Sequence, residues 1–144
     1  MLRTLRCSAA ALGLGLVLAA GAPAVAAQKT DPNGRFTAEE IHHFLEGFYG
    51  NHGPRPWERE NLVSDQLKER IAQNPGYDLL LCAQNEPRDI EVGEVTTAQS
   101  ARVGWATITT HWGQGATDSF TAYVDLDATR PIELLDVDCA TPEG

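Results

Sequence analysis

Two cysteines, a pair of adjacent histidines and a carboxylate between a tyrosine and three leucines are the groups through which this chain could do chemistry. Cys82 and Cys139 could serve as a redox pair or a metal pair. Neither belongs to a Cys-x-x-Cys motif, and no histidine stands beside them at a zinc-ligand spacing. The plainer role is a disulfide tying the middle of the chain to its end. Such a bridge closes a loop of about 57 residues, worth about 4 kcal/mol in the chain-entropy account.

Acid–base chemistry needs a carboxylate in an apolar setting, where burial raises its pKa towards neutrality. Asp78 follows Tyr77 and precedes Leu79-Leu80-Leu81, which makes it the best candidate base. Tyr49 could polarise a carbonyl, and His43 could assist. Against this, Asp78 also suits a cap or turn after Pro75-Gly76. Asp136 and Asp138 share one strand face and would serve solubility there. On a helix His42 and His43 point about 100° apart. His42 with Glu46, or His43 with Glu39, could hold zinc with help from His52 or His111. The His-Glu-x-x-His arrangement is missing, so surface histidines and no metal are expected. Ser64, Ser100 and Ser119 lack a nucleophile-elbow motif. No cofactor is implied.

The elements that must carry these groups are partly explicit. Thr37 and Glu40 make a capping box, and Ile41, Phe44, Leu45 and Phe48 follow at helical spacing. Gly50-Asn51 ends that helix, and residues 50–57 form a loop dense in Gly and Pro. A second helix is expected within 58–73, with Ser64 capping its last part and Asn74-Pro75-Gly76 stopping it. Residues 77–84 are too short to assign by period and read as a helical turn or an irregular buried segment. From Ile90 the pattern is β: strands over 90–97, 101–112, 118–126 and 132–139, with a hairpin turn at Gly113-Gln114-Gly115. This order predicts an α+β fold, N-terminal helices packed on a curved antiparallel sheet of about four strands. The concave side of such a sheet is a natural pocket. Trp57, Trp105, Trp112 and Tyr123 either pack over core edges or, where exposed, supply contact area for a partner.

The chain opens Met1-Leu2-Arg3-Thr4-Leu5-Arg6, runs apolar from Ala9 to Ala20, and reaches Ala24-Val25-Ala26-Ala27. That is the layout of a cleaved signal peptide over residues 1–27, cut after Ala26 or Ala27. Cys7 goes with it, and an even pair of cysteines remains for an oxidising compartment. Residues 28–36 read as a flexible leader, 37–139 as a single α+β domain, and 140–144 as a tail. Loss of Arg3 and Arg6 leaves 9 basic against 20 acidic residues, a net charge of about −11. Such a surface repels nucleic acid and anionic lipid. The expected location is periplasmic or secreted, with no stable membrane association after cleavage.

Phe48-Tyr49 on the first helix, Asp78-x-x-x-Cys82-Ala83-Gln84, and Val137-Asp138-Cys139 on the last strand together resemble a bacterial exported family, domain of unknown function 3828. That family is similar to the nuclear-transport-factor-2-like superfamily, in which helices pack into a bent antiparallel sheet to form a cone. The resemblance spans about residues 37–139 and implies a fold more than an activity, because the superfamily includes isomerases, dehydratases, ligand binders, assembly modules and immunity proteins. The chain departs from the pattern in two places. Arg130-Pro131-Ile132 stands where an aromatic often closes the last hairpin, and the 50–57 loop is unusually rich in Gly and Pro. The expectation is an exported, non-enzymatic binding protein, possible as an immunity or inhibitor type, meeting a small molecule or a protein through Tyr49, Trp57 and Gln84. The alternative is a cofactor-free lyase or isomerase using Asp78 with Tyr49 or His43.

Overall fold

Thr37 starts the first helix as its capping box requires. Its hydroxyl accepts from the Glu40 N–H at 3.2 Å, and its own N–H donates to Glu40 Oε2 at 2.8 Å. The computed structural model describes residues 33–142; the signal peptide, Cys7, most of the leader and the last two tail residues lie outside them. Helix α1, Ala38–Tyr49, buries Ile41, Leu45, Phe48 and Tyr49 on one side. It stops at Gly50, whose φ of +52° favours a residue without Cβ.

The expected second helix is two helices. Helix α2, Pro56–Asn61, begins with proline at its first turn, where the missing N–H costs nothing. Helix α3, Asp65–Ala72, is capped by Ser64, whose Oγ accepts from the Leu67 N–H. Between them the backbone leaves helical geometry to pair with the chain's last strand. Leu134 N–H donates to Leu62 O at 2.7 Å and Ser64 N–H to Leu134 O at 2.9 Å. This non-local pairing outweighs the local helical pattern.

Five antiparallel strands follow, rather than about four: β1 Asp89–Val92, β2 Thr96–Ala98, β3 Val103–His111, β4 Thr117–Asp125 and β5 Leu134–Asp138. The expected 90–97 strand is divided. β1 and β2 both pair with β3, but in registers one residue apart (Val92↔Ile108, then Thr96↔Trp105). One extra residue therefore sits on the outer side, and the strand breaks there as it would at a bulge. β3 and β4 keep one register over nine pairs, from Val103↔Asp125 to His111↔Thr117. Their turn is the expected Gly113–Gly115, with Gln114 and Gly115 at positive φ.

Alternation along β3 and β4 buries Gly104, Ala106, Ile108 and Thr110 beside Phe120, Ala122 and Val124. The helices cover this face; α1 packs on β1 and β3, and α3 on β5. Gly104 lets α1 approach, since a Cβ there would fall 2.7 Å from Ile41 Cδ1. Tyr49 meets Phe120 edge-on, with ring centroids 5.7 Å apart. The result is a mixed α+β layer pair with an open sheet. No helix among the described residues is long and apolar enough to cross a membrane.

Residues 77–84 form an irregular turn buried at its centre and exposed at Tyr77 and Gln84. Leu79, Leu80 and Leu81 are buried without helix. Asp78 N–H donates to Ala83 O at 2.8 Å, and Asp78 Oδ1 accepts from the Leu80 N–H. Cys82 sits at φ +50°. The structure sets it at disulfide distance from Cys139, Cα to Cα 5.4 Å, so the turn is tied to the residue after β5.

Candidate functional site

Residues 50–55 with the first turn of α2, which begins two residues earlier than the sequence suggested, face residues 78–86 across an open pocket of about 490 Å³. Gly53 is the hinge of the first wall. Its φ is +106°, its N–H donates to Tyr49 O at 2.8 Å, and a Cβ would lie 2.9 Å from Leu81 Cδ1 on the opposite wall. Only glycine combines that backbone with that closeness.

Arg59 fastens the two walls. Projecting from α2, its Nε donates to Pro54 O at 2.7 Å, and Nη1 and Nη2 donate to Asp78 Oδ1 and Oδ2 at 3.1 and 2.6 Å. This is a two-point guanidinium–carboxylate pair, the geometry that gives such pairs their directionality. It leaves Arg59 two of its five N–H donors. Asp78 is thereby held as a hydrogen-bond acceptor on both oxygens.

Other charges around the pocket are matched as well. Arg55 donates to Glu58 Oε1 at 2.7 Å. That bond holds the Glu58 carboxyl below the usual carboxylate range and raises the guanidinium. Glu58 is 7% exposed, and its Oε2 has no hydrogen-bond partner among the described residues. His52 Nδ1 stands 3.1 Å from Pro87 O and 3.9 Å from Glu86 Oε1. Gln84 and Asn85, both exposed, line the same pocket.

Of the residues singled out in the sequence, Asp78, Gln84 and His52 line this pocket, and Trp57 is not in the lining. Neither is Tyr49. It is fully buried, and its hydroxyl has no hydrogen-bond partner among the described residues. Burial raises its pKa far above the ordinary value; the Asp78 carboxylate adds to the rise and Arg59 opposes it, which puts all three groups within electrostatic reach of one another. Trp57 directly follows the lining residue Pro56 and is 63% exposed. Trp112 is only partly exposed, with its indole N–H buried. His43 is exposed on α1 and lies outside the lining. His42 instead reaches Glu46 at 3.6 Å and Val92 O at 3.3 Å. Among the described residues no group of three or more His, Cys, Asp or Glu side chains could hold a metal ion.

Sequence reasoning passed over Arg59, Arg55 and Gly53, weighed His52 only as a metal ligand, and took Leu81 only as an apolar neighbour of Asp78. The density of Gly and Pro over 50–57 was the available signal, because such a loop needs an outside anchor. Arg59 could not be singled out, since its partner lies 19 residues away across an unassigned turn. No family model, curated protein or solved structure matches the chain.

Proposed function

We propose that the protein is an exported, non-enzymatic binding protein, and that the pocket between residues 50–57 and residues 78–86 receives a small molecule. In this reading the sheet and helices form a cone of the nuclear-transport-factor-2-like kind, and the pocket opens beside it. One observation carries the choice of binding over catalysis. Both oxygens of Asp78 are engaged by Arg59, which ties the two walls, while the exposed residues Gln84 and Asn85 line the pocket. Asp78 thus serves to hold the two walls together, and a binding site needs such fixed walls with donors and acceptors beside them. A volume of about 490 Å³ lies in the range of small-ligand pockets.

A lyase or isomerase reading draws support from Asp78 lining a pocket and acting electrostatically on the buried Tyr49 hydroxyl. The pairing of Asp78 and the position of His43 on the outer side of α1 weigh against it.

The test is a nuclear magnetic resonance titration of the exported protein with a mixed library of neutral, anionic and cationic small molecules. Binders should shift amides of residues 52–59 and 78–86. Gly53→Ala, which drives a Cβ towards Leu81 at a backbone angle L-residues avoid, should weaken them at least tenfold while the sheet amides keep their positions. A library that moves no amide of those two segments would sink the proposal.

A further inference from the structure

The sheet has two edges, and the chain bridges the outer side of β5 with its own backbone. There Leu134 N–H donates to Leu62 O, and Leu134 O accepts from the Ser64 N–H, a parallel bridge centred on Val63. β1 belongs to the other edge, with β3 as its ladder partner. Gly93 N–H donates to Thr107 O at 2.9 Å and continues the register of Val92↔Ile108, so Glu91 and Gly93 turn their peptide groups towards β3. Ile90 and Val92, in alternation, turn theirs outward. Two of those outward groups are engaged: Val92 O lies 3.3 Å from the His42 ring, and the Asp89 carboxylate accepts from the Ile90 N–H. Ile90 O and Val92 N–H are left without a partner among the described residues. They are an acceptor and a donor two residues apart, as Leu62 O and Ser64 N–H are at the far edge, and one residue of a parallel strand closes such a pair.

The space beside this pair is open. A groove of about 290 Å³ is lined by Ile90, Glu91 and Val92 on one side and by Glu46, Gly50 and Asn51 on the other. It shares no lining residue with the pocket of Arg59 and Asp78. Its charge is of one sign. No Lys or Arg lines it, and the carboxylates of Glu46 and Glu91, on side chains 55% and 74% exposed, have only His42 and His111 beside them, each at 3.6 Å. Glu91 shares the outer sheet face with His111, whereas Glu46 stands on α1, which covers the inner face. A strand laid along β1 passes between the two, and its successive side chains point to opposite faces. We propose that the β1 edge binds an extended segment of a partner protein by strand addition, parallel to β1, through two consecutive Lys or Arg residues. The first basic residue to be placed lies opposite Glu91, closes on Ile90 O and Val92 N–H, and sends its side chain to Glu91. Its neighbour sends its side chain to Glu46. Backbone bonds supply the hold, and the two carboxylates select the sequence. A second copy of this chain does not fit, because each copy has a net charge of −9 and the two repel.

The probes are the peptide acetyl-Thr-Val-Lys-Arg-Val-Thr-amide and its counterpart with Glu-Asp in place of Lys-Arg, each titrated into the protein and followed by amide shifts. The basic peptide should saturate the amides of residues 90–92, move the Val92 proton downfield and slow its exchange; the acidic one should do none of this. Val92→Pro removes the free donor at an edge position where no ladder bond is lost, and should weaken binding about tenfold. Glu46→Lys/Glu91→Lys changes two exposed side chains and should also weaken it about tenfold or more. N-methylation of one of the two basic residues should abolish binding, and of the other should spare it, because only one turns its N–H to Ile90 O. Where Val92→Pro disturbs the sheet amides, this peptide pair decides in its place. A basic peptide that leaves residues 90–92 unmoved overturns the proposal, as does one matched by the acidic peptide or indifferent to which residue is N-methylated. Concentration-dependent shifts of the same amides without peptide make a second copy the occupant and overturn the partner assignment. None of these outcomes touches the small-molecule pocket, whose amides at 52–59 and 78–86 are read separately.

Discussion

The β3–β4 hairpin with α1 and the segment from Gly50 to Pro87 are assembled by different forces. In the first, nine residue pairs share one register, and Phe120, Ala122, Val124, Ala106 and Ile108 lie under Ile41, Leu45 and Tyr49 in a continuous apolar layer. Each side chain there is held by many neighbours, so the loss of one is felt across the layer. The second segment adds Val63, Leu67, Leu79, Leu80 and Leu81 to the same core, and its pocket-facing part is further fixed by discrete links. These are Arg59 to Asp78 and Pro54, Gly53 to Tyr49, His52 to Pro87, and the tie from Cys82 to Cys139. A packed layer is robust and chemically silent. A segment held by separate links can present unpaired polar groups to a pocket, at the expense of depending on each link.

That contrast is most severely tested in the layer. Phe120→Ala removes a fully buried ring that touches Tyr49 and should cost about 3–5 kcal/mol. The loss should be global, seen as one lowered denaturation midpoint by both tryptophan fluorescence and far-ultraviolet circular dichroism. Transitions that separate by probe would mean that the two regions do not unfold as one unit.

Breaking the covalent tie comes next in size. The Cys82→Ser/Cys139→Ser double variant reopens a 57-residue separation and should cost about 2–4 kcal/mol. Because the tie ends in the turn, hydrogen exchange should quicken most over 77–86, while the β3–β4 amides keep the slowest exchange in the protein. Equal acceleration in both regions would show that the turn is part of the packed layer and would dissolve the distinction.

The same contrast explains what was legible in the sequence. The capping box at Thr37 and Glu40, the alternation over 101–112 and 118–126, and the turn at Gly113-Gln114-Gly115 are local patterns, and the structure contains all three. Local chemistry decides them. The break between α2 and α3 was hidden because Val63 pairs with Leu134, 71 residues on, and no pattern near Val63 announces that partner. The division of the expected 90–97 strand is likewise set by register against β3. The pocket is the extreme case. Asp78 and Gln84 stood out by their neighbours, but Arg59 and Gly53 acquire meaning only when α2 and the loop before it meet the 78–86 segment.

Tyr49 lies where the two regions touch, and it supports the smallest and sharpest test. Its ring belongs to the packed layer against Phe48 and Phe120, and its hydroxyl lies within electrostatic reach of Asp78 and Arg59. A buried hydroxyl without a partner lowers stability, so Tyr49→Phe should be neutral or stabilising by up to about 1 kcal/mol at pH 7. The sign of the pH effect follows from burial, which raises the folded pKa above the ordinary 10.0. Above that value the unfolded chain releases a proton that the folded one retains, so stability falls as pH rises. Urea denaturation from pH 8 to 11 should show this alkaline loss in the parent and a flatter profile in Tyr49→Phe. Parallel loss in both proteins would remove Tyr49 as its source. A cost above about 1 kcal/mol at pH 7 would mean that the hydroxyl bonds across to the Arg59–Asp78 pair. The packed layer would then reach into the pocket wall through that hydrogen bond as well as through the leucines.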